Sequence, residues 1–134
     1  MGLFSNSFGN AESQRSGSKI DWVNVTNIAQ LEQMIAESEG KPVIIFKHST
    51  RCGISRMVLK RFENEYDLEG KITPYFLDLL AHRHISDAIS QQFGVVHQSP
   101  QLLLIKEGKS VYNVSHDEID ASALNQQIAK NYPS

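Results

Sequence analysis

The chain has 134 residues, of which 40% are hydrophobic and 21% are charged, and its formal net charge is -2. This length suits one domain, and the near-neutral charge disfavours a nucleic-acid-binding surface. No apolar run approaches the roughly 18 residues that a membrane span needs. A single cysteine cannot form an internal disulfide, so the fold does not depend on oxidation. We therefore expect a cytoplasmic protein with no nucleic-acid or membrane partner.

The first residues differ in composition from the rest of the chain. Residues 1–19 are rich in Ser, Asn and Gly and have no helical or strand periodicity, which predicts a flexible N-terminal tail. A single domain is then expected over residues 20–134, opening with a short strand and an amphipathic helix that Asn27 can cap. The continuous apolar run from Val43 to Phe46 predicts a strand buried on both faces.

A second amphipathic helix is predicted to follow Cys52. Its apolar face is expected to contain five residues: Ile54, Val58, Leu59, Phe62 and Tyr66. Its charged residues are expected to face mostly solvent: Arg56, Lys60, Arg61, Glu63 and Glu65. The later patterns predict a strand over residues 73–80, a helix over 86–93, a hairpin that turns at Glu107 and Gly108, and a closing helix over 120–132.

The order of these elements, β-α-β-α-β-α-β-β-α, predicts an α/β fold. Consecutive β-α-β units place helices on the faces of a parallel sheet, and the final hairpin adds antiparallel strands. We therefore expect a mixed β-sheet flanked by helices. Cys52 follows the buried strand and precedes a helix, so its thiol is expected at the carboxyl end of a central strand and at a helix N-terminus.

The position of Cys52 bears on how this lone cysteine is interpreted. A single cysteine is often only a small buried apolar residue. At a helix N-terminus, however, a thiolate is stabilised by unpaired N–H groups and by the helix macrodipole. Three cationic residues are also close in sequence and can add positive potential: Lys47, Arg51 and Arg56. We therefore interpret Cys52 as a nucleophile.

Two motifs carry a resemblance to a known fold. The segment PVIIFKHSTRCGIS, followed further along the chain by HQSPQLLLIKEGKSVYNVS, resembles the thioredoxin-like fold when both are read within this order of strands and helices. More narrowly, Lys47-His48-Ser49-Thr50, Cys52 and Ile54-Ser55 resemble the YtxJ family of monothiol, bacilliredoxin-like proteins, which are assigned to bacillithiol redox chemistry. The resemblance covers roughly residues 20–132 and leaves out the N-terminal tail.

The resemblance implies roles for particular residues. In thioredoxin-fold proteins a reactive cysteine follows the second strand, at the position of Cys52, and a cis proline precedes the fourth strand, at the position of Pro100. The cis proline leaves the backbone of Ser99 free to bond an extended ligand beside the cysteine. The supporting residues implied around the thiol are Lys47, His48, Thr50, Arg51, Gly53, Ile54 and Ser55. Gly53 is a departure, since some relatives have proline there.

Ser55 stands where a resolving cysteine would complete a Cys-x-x-Cys pair. Its hydroxyl is expected either to hydrogen-bond the Cys52 thiolate or to face solvent or a backbone carbonyl, as an ordinary helical serine does. Phe46 similarly stands where thioredoxins place a buried acid that helps to deprotonate the resolving cysteine. The absence of both groups from the sequence favours chemistry by one thiol.

The histidines do not predict a metal site. Their spacing with the single cysteine is not that of zinc ligands, so surface or loop roles are expected for all five: His48, His82, His84, His97 and His116. Trp22 and Phe46 are predicted to be core residues.

The resemblance implies a monothiol thiol-disulfide oxidoreductase. Cys52 is expected to take bacillithiol from mixed disulfides on client proteins. Bacillithiol or a similar small thiol is then the co-substrate, thiol-modified proteins are the partners, and no metal or organic cofactor is bound.

Two alternatives stay open at this point. The stretch Cys52-Gly53-Ile54-Ser55 is close to the Cys-Gly-Phe-Ser motif of monothiol glutaredoxins, which bridge an iron–sulfur cluster with glutathione. Against that alternative, Ser115-His116-Asp117 stands where a glutathione-binding Gly-Gly-x-Asp loop is expected. The other alternative is a non-catalytic thioredoxin-like binding module or stress-response protein, in which Cys52 is only protected or modified.

Overall fold

Five strands and four α-helices make up residues 20–133, the part of the chain that the computed structural model describes. The strands are β1 (Val23–Asn24), β2 (Val43–His48), β3 (Thr73–Asp78), β4 (Gln101–Lys106) and β5 (Lys109–Ser115). The helices are α1 (Gln30–Glu37), α2 (Gly53–Glu65), α3 (Arg83–Phe93) and α4 (Ala121–Asn131), with a 3₁₀ turn at His116–Glu118. This is the predicted order of elements. The predicted tail over residues 1–19 lies outside the described residues.

The strands form one mixed sheet with the order β1-β3-β2-β4-β5. The first three strands in this order run parallel, whereas β4 is antiparallel to β2 and β5 is antiparallel to β4. The central strand β2 is buried along its whole length, as its continuous apolar run predicts. The predicted mixed sheet flanked by helices is therefore confirmed, and β2 is held on both sides by neighbouring strands.

Alternate residues of β2 feed two separate hydrophobic clusters, because successive side chains of a strand point to opposite faces. Ile44 and Phe46 join the cluster formed with residues of α2 and α4. Val43 and Ile45 join the cluster formed with residues of α1 and α3. The two helices on each face thus cover the sheet at β2, and the first residues that reach solvent are those that follow the carboxyl end of the strand.

The turns that connect these elements have the expected chemistry. In the hairpin between β4 and β5, Glu107 and Gly108 both have positive φ, 52° and 76°, the pattern of a type I′ turn. Asp120 caps α4, since its Oδ2 accepts a hydrogen bond of 3.0 Å from the Ala123 N–H. None of the described helices is long and apolar enough to cross a membrane.

Two predictions about the faces of α2 are wrong. Ile54 is 53% exposed, because it lies in the first turn, ahead of the residues that pack on the sheet. Glu63 is only 6% exposed and accepts a hydrogen bond of 2.8 Å from the indole Nε1–H of Trp22. A buried carboxylate needs such a hydrogen-bond donor. The sequence pattern of α2 does not reveal that the donor is Trp22, the residue just before β1.

Candidate active site

Cys52 is the residue that caps the N-terminus of α2. Its backbone is extended, with φ -103° and ψ 120°, and its carbonyl accepts a 3.1 Å hydrogen bond from the Arg56 N–H. Its own N–H donates to the Ser49 carbonyl at 3.2 Å, which fixes the turn that leads into the helix. The side chain is partly exposed and not oxidised to a disulfide. The thiol is therefore accessible and lies where the unpaired N–H groups of a 13-residue helix favour negative charge.

The segment that contains Pro100 lies at the same edge of the sheet. Gln101 opens β4 and pairs with Lys47 near the carboxyl end of β2, so Ser99 and Pro100 lie just beyond that end. The Ser99–Pro100 peptide bond is cis, as the resemblance implies. The Oγ atom of Ser99 is buried and has no hydrogen-bond partner within residues 20–133.

Ser55 has a role that differs from both of its predicted ones. The side chain is fully buried, so it does not face solvent. Its Oγ accepts a 3.1 Å hydrogen bond from the Ser49 N–H and lies 2.8 Å from Nδ1 of His48. These are contacts to the end of β2 and to the loop before Cys52, and no contact with the sulfur is among them. Ser55 therefore ties together the loop and the helix that carry the thiol.

His48 is a core residue, which corrects the prediction that all the histidines lie on the surface or in loops. It is 3% exposed at the end of β2, and its ring lies 5.5 Å from that of Phe76. Its backbone carbonyl accepts a 3.0 Å hydrogen bond from the Leu79 N–H. The pairing of His48 with Ser55 joins a strand to a helix across a loop, and no local sequence pattern signals such a contact.

Lys47 points to the face of the sheet opposite α2, contrary to the prediction that its charge reinforces the thiol. Its Nζ donates a 3.1 Å hydrogen bond to Ser90 Oγ on α3 and lies 3.4 Å from Nδ1 of His97. The side chain is fully buried, and burial lowers its pKa from 10.5 to about 8, while nearby Asp87 opposes that shift. Lys47 and Cys52 are close in sequence, but alternation along β2 separates their side chains.

His97 connects the buried ammonium to the segment that leads to Pro100. Nδ1 of His97 also lies 3.2 Å from Ser86 Oγ, so the imidazole contacts both α3 and β2. Partial burial lowers the pKa of His97, and the charges of Lys47 and Arg83 lower it further. Lys47 thus supports the segment before Pro100 rather than the turn at Cys52. The sequence gives no signal for this network of one lysine, one histidine and two serines.

The remaining predicted residues surround the thiol on exposed backbone. Thr50, Arg51, Gly53 and Ile54 are all exposed. A Cβ added at Gly53 would meet only Nη2 of Arg56, at 3.8 Å, which is an ordinary contact distance. The structure therefore brings these four residues together around Cys52 but leaves their side chains free of packing on the sheet.

A groove runs along α2 beside this turn. Its volume is about 300 Å³, and it is lined by His48, Thr50, Arg56, Leu59 and Lys60. Within the described residues, no group of three or more His, Cys, Asp or Glu side chains is arranged to hold a metal ion. The groups that the described residues place at this edge of the sheet are one thiol, hydroxyl groups and cations.

Comparison with known proteins identifies the family. The model of the monothiol bacilliredoxin BrxC family matches residues 23–124, a range that contains Cys52, Ser99 and Pro100. The chain belongs to the BrxC family. A solved structure described as a candidate oxidoreductase with a thioredoxin fold is 35% identical to this BrxC member, with a TM-score of 0.67. The match covers 77% of this chain and 89% of the other.

More distant solved structures agree with the fold of this BrxC member. The thioredoxin of Malassezia sympodialis, Mala s 13, is 19% identical with a TM-score of 0.65, and the match covers 87% of this chain and 96% of that one. The thioredoxin of Trypanosoma brucei brucei is 15% identical with a TM-score of 0.67, and the match covers 90% and 99% respectively. The resemblance seen in the sequence is confirmed for both the family and the thioredoxin-like fold.

Proposed function

We propose that this protein is a monothiol thiol-disulfide oxidoreductase that removes bacillithiol from mixed disulfides on client proteins. The observation that carries the proposal is the partly exposed thiol of Cys52, the only cysteine in the chain, at the N-terminus of α2. Membership of the monothiol bacilliredoxin family supports bacillithiol as the small thiol. Reliance on one free thiol also suits a cytoplasmic setting.

The proposed reaction exchanges one disulfide for another. The Cys52 thiolate attacks the bacillithiol sulfur of the mixed disulfide, in line with the bond that breaks. A new disulfide forms between Cys52 and bacillithiol, and the client sulfur leaves as a thiolate that takes a proton from water. The thiolate of a second small thiol then attacks the bacillithiol sulfur of this adduct. A disulfide between the two small thiols forms, and Cys52 is released as a thiolate. Each step conserves the number of disulfides, so no bound cofactor is needed.

The surrounding residues have positioning roles in this proposal. The backbone of Ser99, next to Pro100, lies at the same sheet edge as Cys52, where it can bond an extended substrate. Ser55 holds the loop before Cys52 through Ser49 and cannot resolve a mixed disulfide, because a hydroxyl does not displace a thiol from sulfur. The adduct therefore persists until an external thiol arrives, which favours removal of a small thiol over reduction of client disulfides.

The test is intact-mass analysis of the reduced protein after brief exposure to bacillithiol disulfide and, separately, to glutathione disulfide. We expect one rapid adduct from bacillithiol disulfide and a slow one or none from glutathione disulfide. The Cys52→Ser variant should form no adduct while its circular dichroism spectrum stays that of the parent, since the side chain is partly exposed.

A second assay measures turnover directly. A client protein carrying a bacillithiol adduct is mixed with the enzyme and free bacillithiol, and loss of the adduct is followed by mass. Equal labelling of Cys52 by both disulfides would refute bacillithiol specificity. Absence of labelling by either, or client release by the Cys52→Ser variant, would refute the proposed reaction.

A further inference from the structure

Two cations line the groove that runs along α2 away from Cys52. Arg56 and Lys60 are four residues apart, so they share one face of the helix, and both are exposed. Thr50 contributes a hydroxyl group to the same groove, and two almost fully buried residues, Leu59 and His48, lie at its base. No carboxylate is among the described residues that line it. The groove therefore has a net positive charge.

The guanidinium of Arg56 is folded back toward the thiol. Its Nη1 donates a 2.9 Å hydrogen bond to the Thr50 carbonyl, and its Nη2 lies 3.8 Å from the position that a Cβ at Gly53 would take. Thr50 and Gly53 flank Cys52 in the chain. The cationic end of the groove therefore adjoins the turn that carries the sulfur, and Lys60 continues the positive charge about 6 Å further along the helix axis.

From this geometry we infer that the groove selects a small thiol that carries carboxylate groups, and that it binds those groups while the sulfur is joined to Cys52. A volume of about 300 Å³ is at the small end of the range of ligand pockets and suits a low-molecular-weight thiol better than a folded client surface. Arginine presents a planar fork of donors that matches a carboxylate, and Lys60 adds a second point charge. This inference rests on the proposed function and assigns the subsite that selects the small thiol.

The first experiment varies the charge of the disulfide. Cys52 is reacted with 3,3′-dithiodipropionate, which has two carboxylates, with neutral 2-hydroxyethyl disulfide, and with cationic cystamine. In each reaction the thiolate attacks one sulfur, forms the Cys52 adduct and releases the other half as a thiolate. We expect the dianion to react fastest and cystamine slowest at low salt. The preference should be largely lost at 1 M salt, where the Debye length is only about 3 Å.

The variants test each cation separately. Lys60→Gln and Arg56→Gln should each lower the ratio of the dianion rate to the neutral-disulfide rate about fivefold, the factor expected for one charge pair near 4 Å in water. Arg56 also donates a hydrogen bond to the loop at Thr50, so its substitution can change the loop as well as the charge. Arg56→Lys keeps the charge, and Lys60→Gln removes a charge without affecting that hydrogen bond, so together the two variants separate the two effects. Lys109→Gln is the matched control, since Lys109 is exposed at the opposite end of the sheet.

A binding measurement separates this inference from the proposed reaction. Cys52→Ser cannot form an adduct, so titration of that variant with an unreactive thioether dicarboxylate reports on the groove alone. We expect NMR shift changes at Thr50, Arg56 and Lys60, and their loss on adding Lys60→Gln. Binding without any exchange in the parent protein would refute the proposed function alone. Exchange with no charge preference, or with equal effects of Lys60→Gln and Lys109→Gln, would refute the anionic subsite alone.

Discussion

The buried ammonium of Lys47 offers a sharp test of the energetics, through the substitution Lys47→Met. Burial lowers the pKa of Lys47 from 10.5 to about 8, so the charged form is disfavoured in the folded protein. That difference corresponds to about 3 kcal/mol of unfolding free energy at neutral pH. Methionine fills a similar volume without a charge, but it leaves Ser90 and His97 without their contact to Nζ. We therefore expect Lys47→Met to be more stable by about 1–2 kcal/mol at pH 7.

The pH dependence is the stronger part of this prediction. Because the pKa of Lys47 is lower in the folded state than in the unfolded chain, the unfolded chain binds more protons between pH 8 and pH 10.5. The contribution of Lys47 to stability is therefore unfavourable below pH 8 and is relieved as the pH rises through this window. The advantage of Lys47→Met should be largest at pH 7 and should disappear near pH 9. Near pH 10.5 the variant should be less stable than the parent by about 1–2 kcal/mol, because the lost contacts to Ser90 and His97 are no longer offset.

Urea unfolding at intervals from pH 7 to pH 10.5 measures this difference, with the slope of each transition checked for two-state behaviour. Burial also raises the pKa of Tyr66 and of Tyr75, but those groups are present in both proteins and cancel in the comparison. Lys109→Met is the matched control and should follow the parent at every pH. Parallel curves for Lys47→Met and the parent, or a variant less stable throughout, would refute the reasoning.

Three further substitutions test single contacts by urea unfolding at pH 7. Phe46→Ala should lose about 3–5 kcal/mol, because the ring is fully buried between β2 and α2, and a loss below 1 kcal/mol would contradict that packing. Ser55→Ala should lose about 1–3 kcal/mol, since the Ser49 N–H and Nδ1 of His48 both lose their contact with the buried Oγ, and an unchanged midpoint would argue against these contacts. Asp120→Ala should lose about 1 kcal/mol of stability. Asp120→Asn should retain most of the parent stability, because the amide oxygen of asparagine can accept the same hydrogen bond from the Ala123 N–H.

Local pattern and family resemblance together predicted the architecture and the position of the thiol. The apolar run at Val43–Phe46 identified the central strand, because a strand covered by helices on both faces needs no alternation. The order of elements then located Cys52 at the start of α2. Both predictions rest on patterns of residues that are adjacent in the sequence, and such patterns can be recognised without knowledge of the folded structure.

Side-chain contacts between different strands and helices could not be predicted from these local patterns. Lys47 was assigned to the thiol by proximity in sequence, but the period of two along β2 sends its side chain to α3. The partnership of Ser55 with His48 depends on how tightly the loop closes between strand and helix. The burial of Glu63 depends on the indole of Trp22, the residue just before β1, which is distant from Glu63 in sequence. Each of these requires the folded geometry.

The last two residues of β2 attach the central strand to both sides of the site. Lys47 reaches the segment before Pro100 through His97, and His48 reaches the turn at Cys52 through Ser55. The end of β2 therefore contacts both parts of the site. The position of the thiol relative to the backbone of Ser99 depends on this one strand. A one-residue slip of β2 would exchange the two side chains between faces and release both attachments together. The alignment of the Cys52 turn with the Ser99–Pro100 segment thus depends on the register of β2. A substitution on either face of the sheet can alter that alignment without contacting the cysteine.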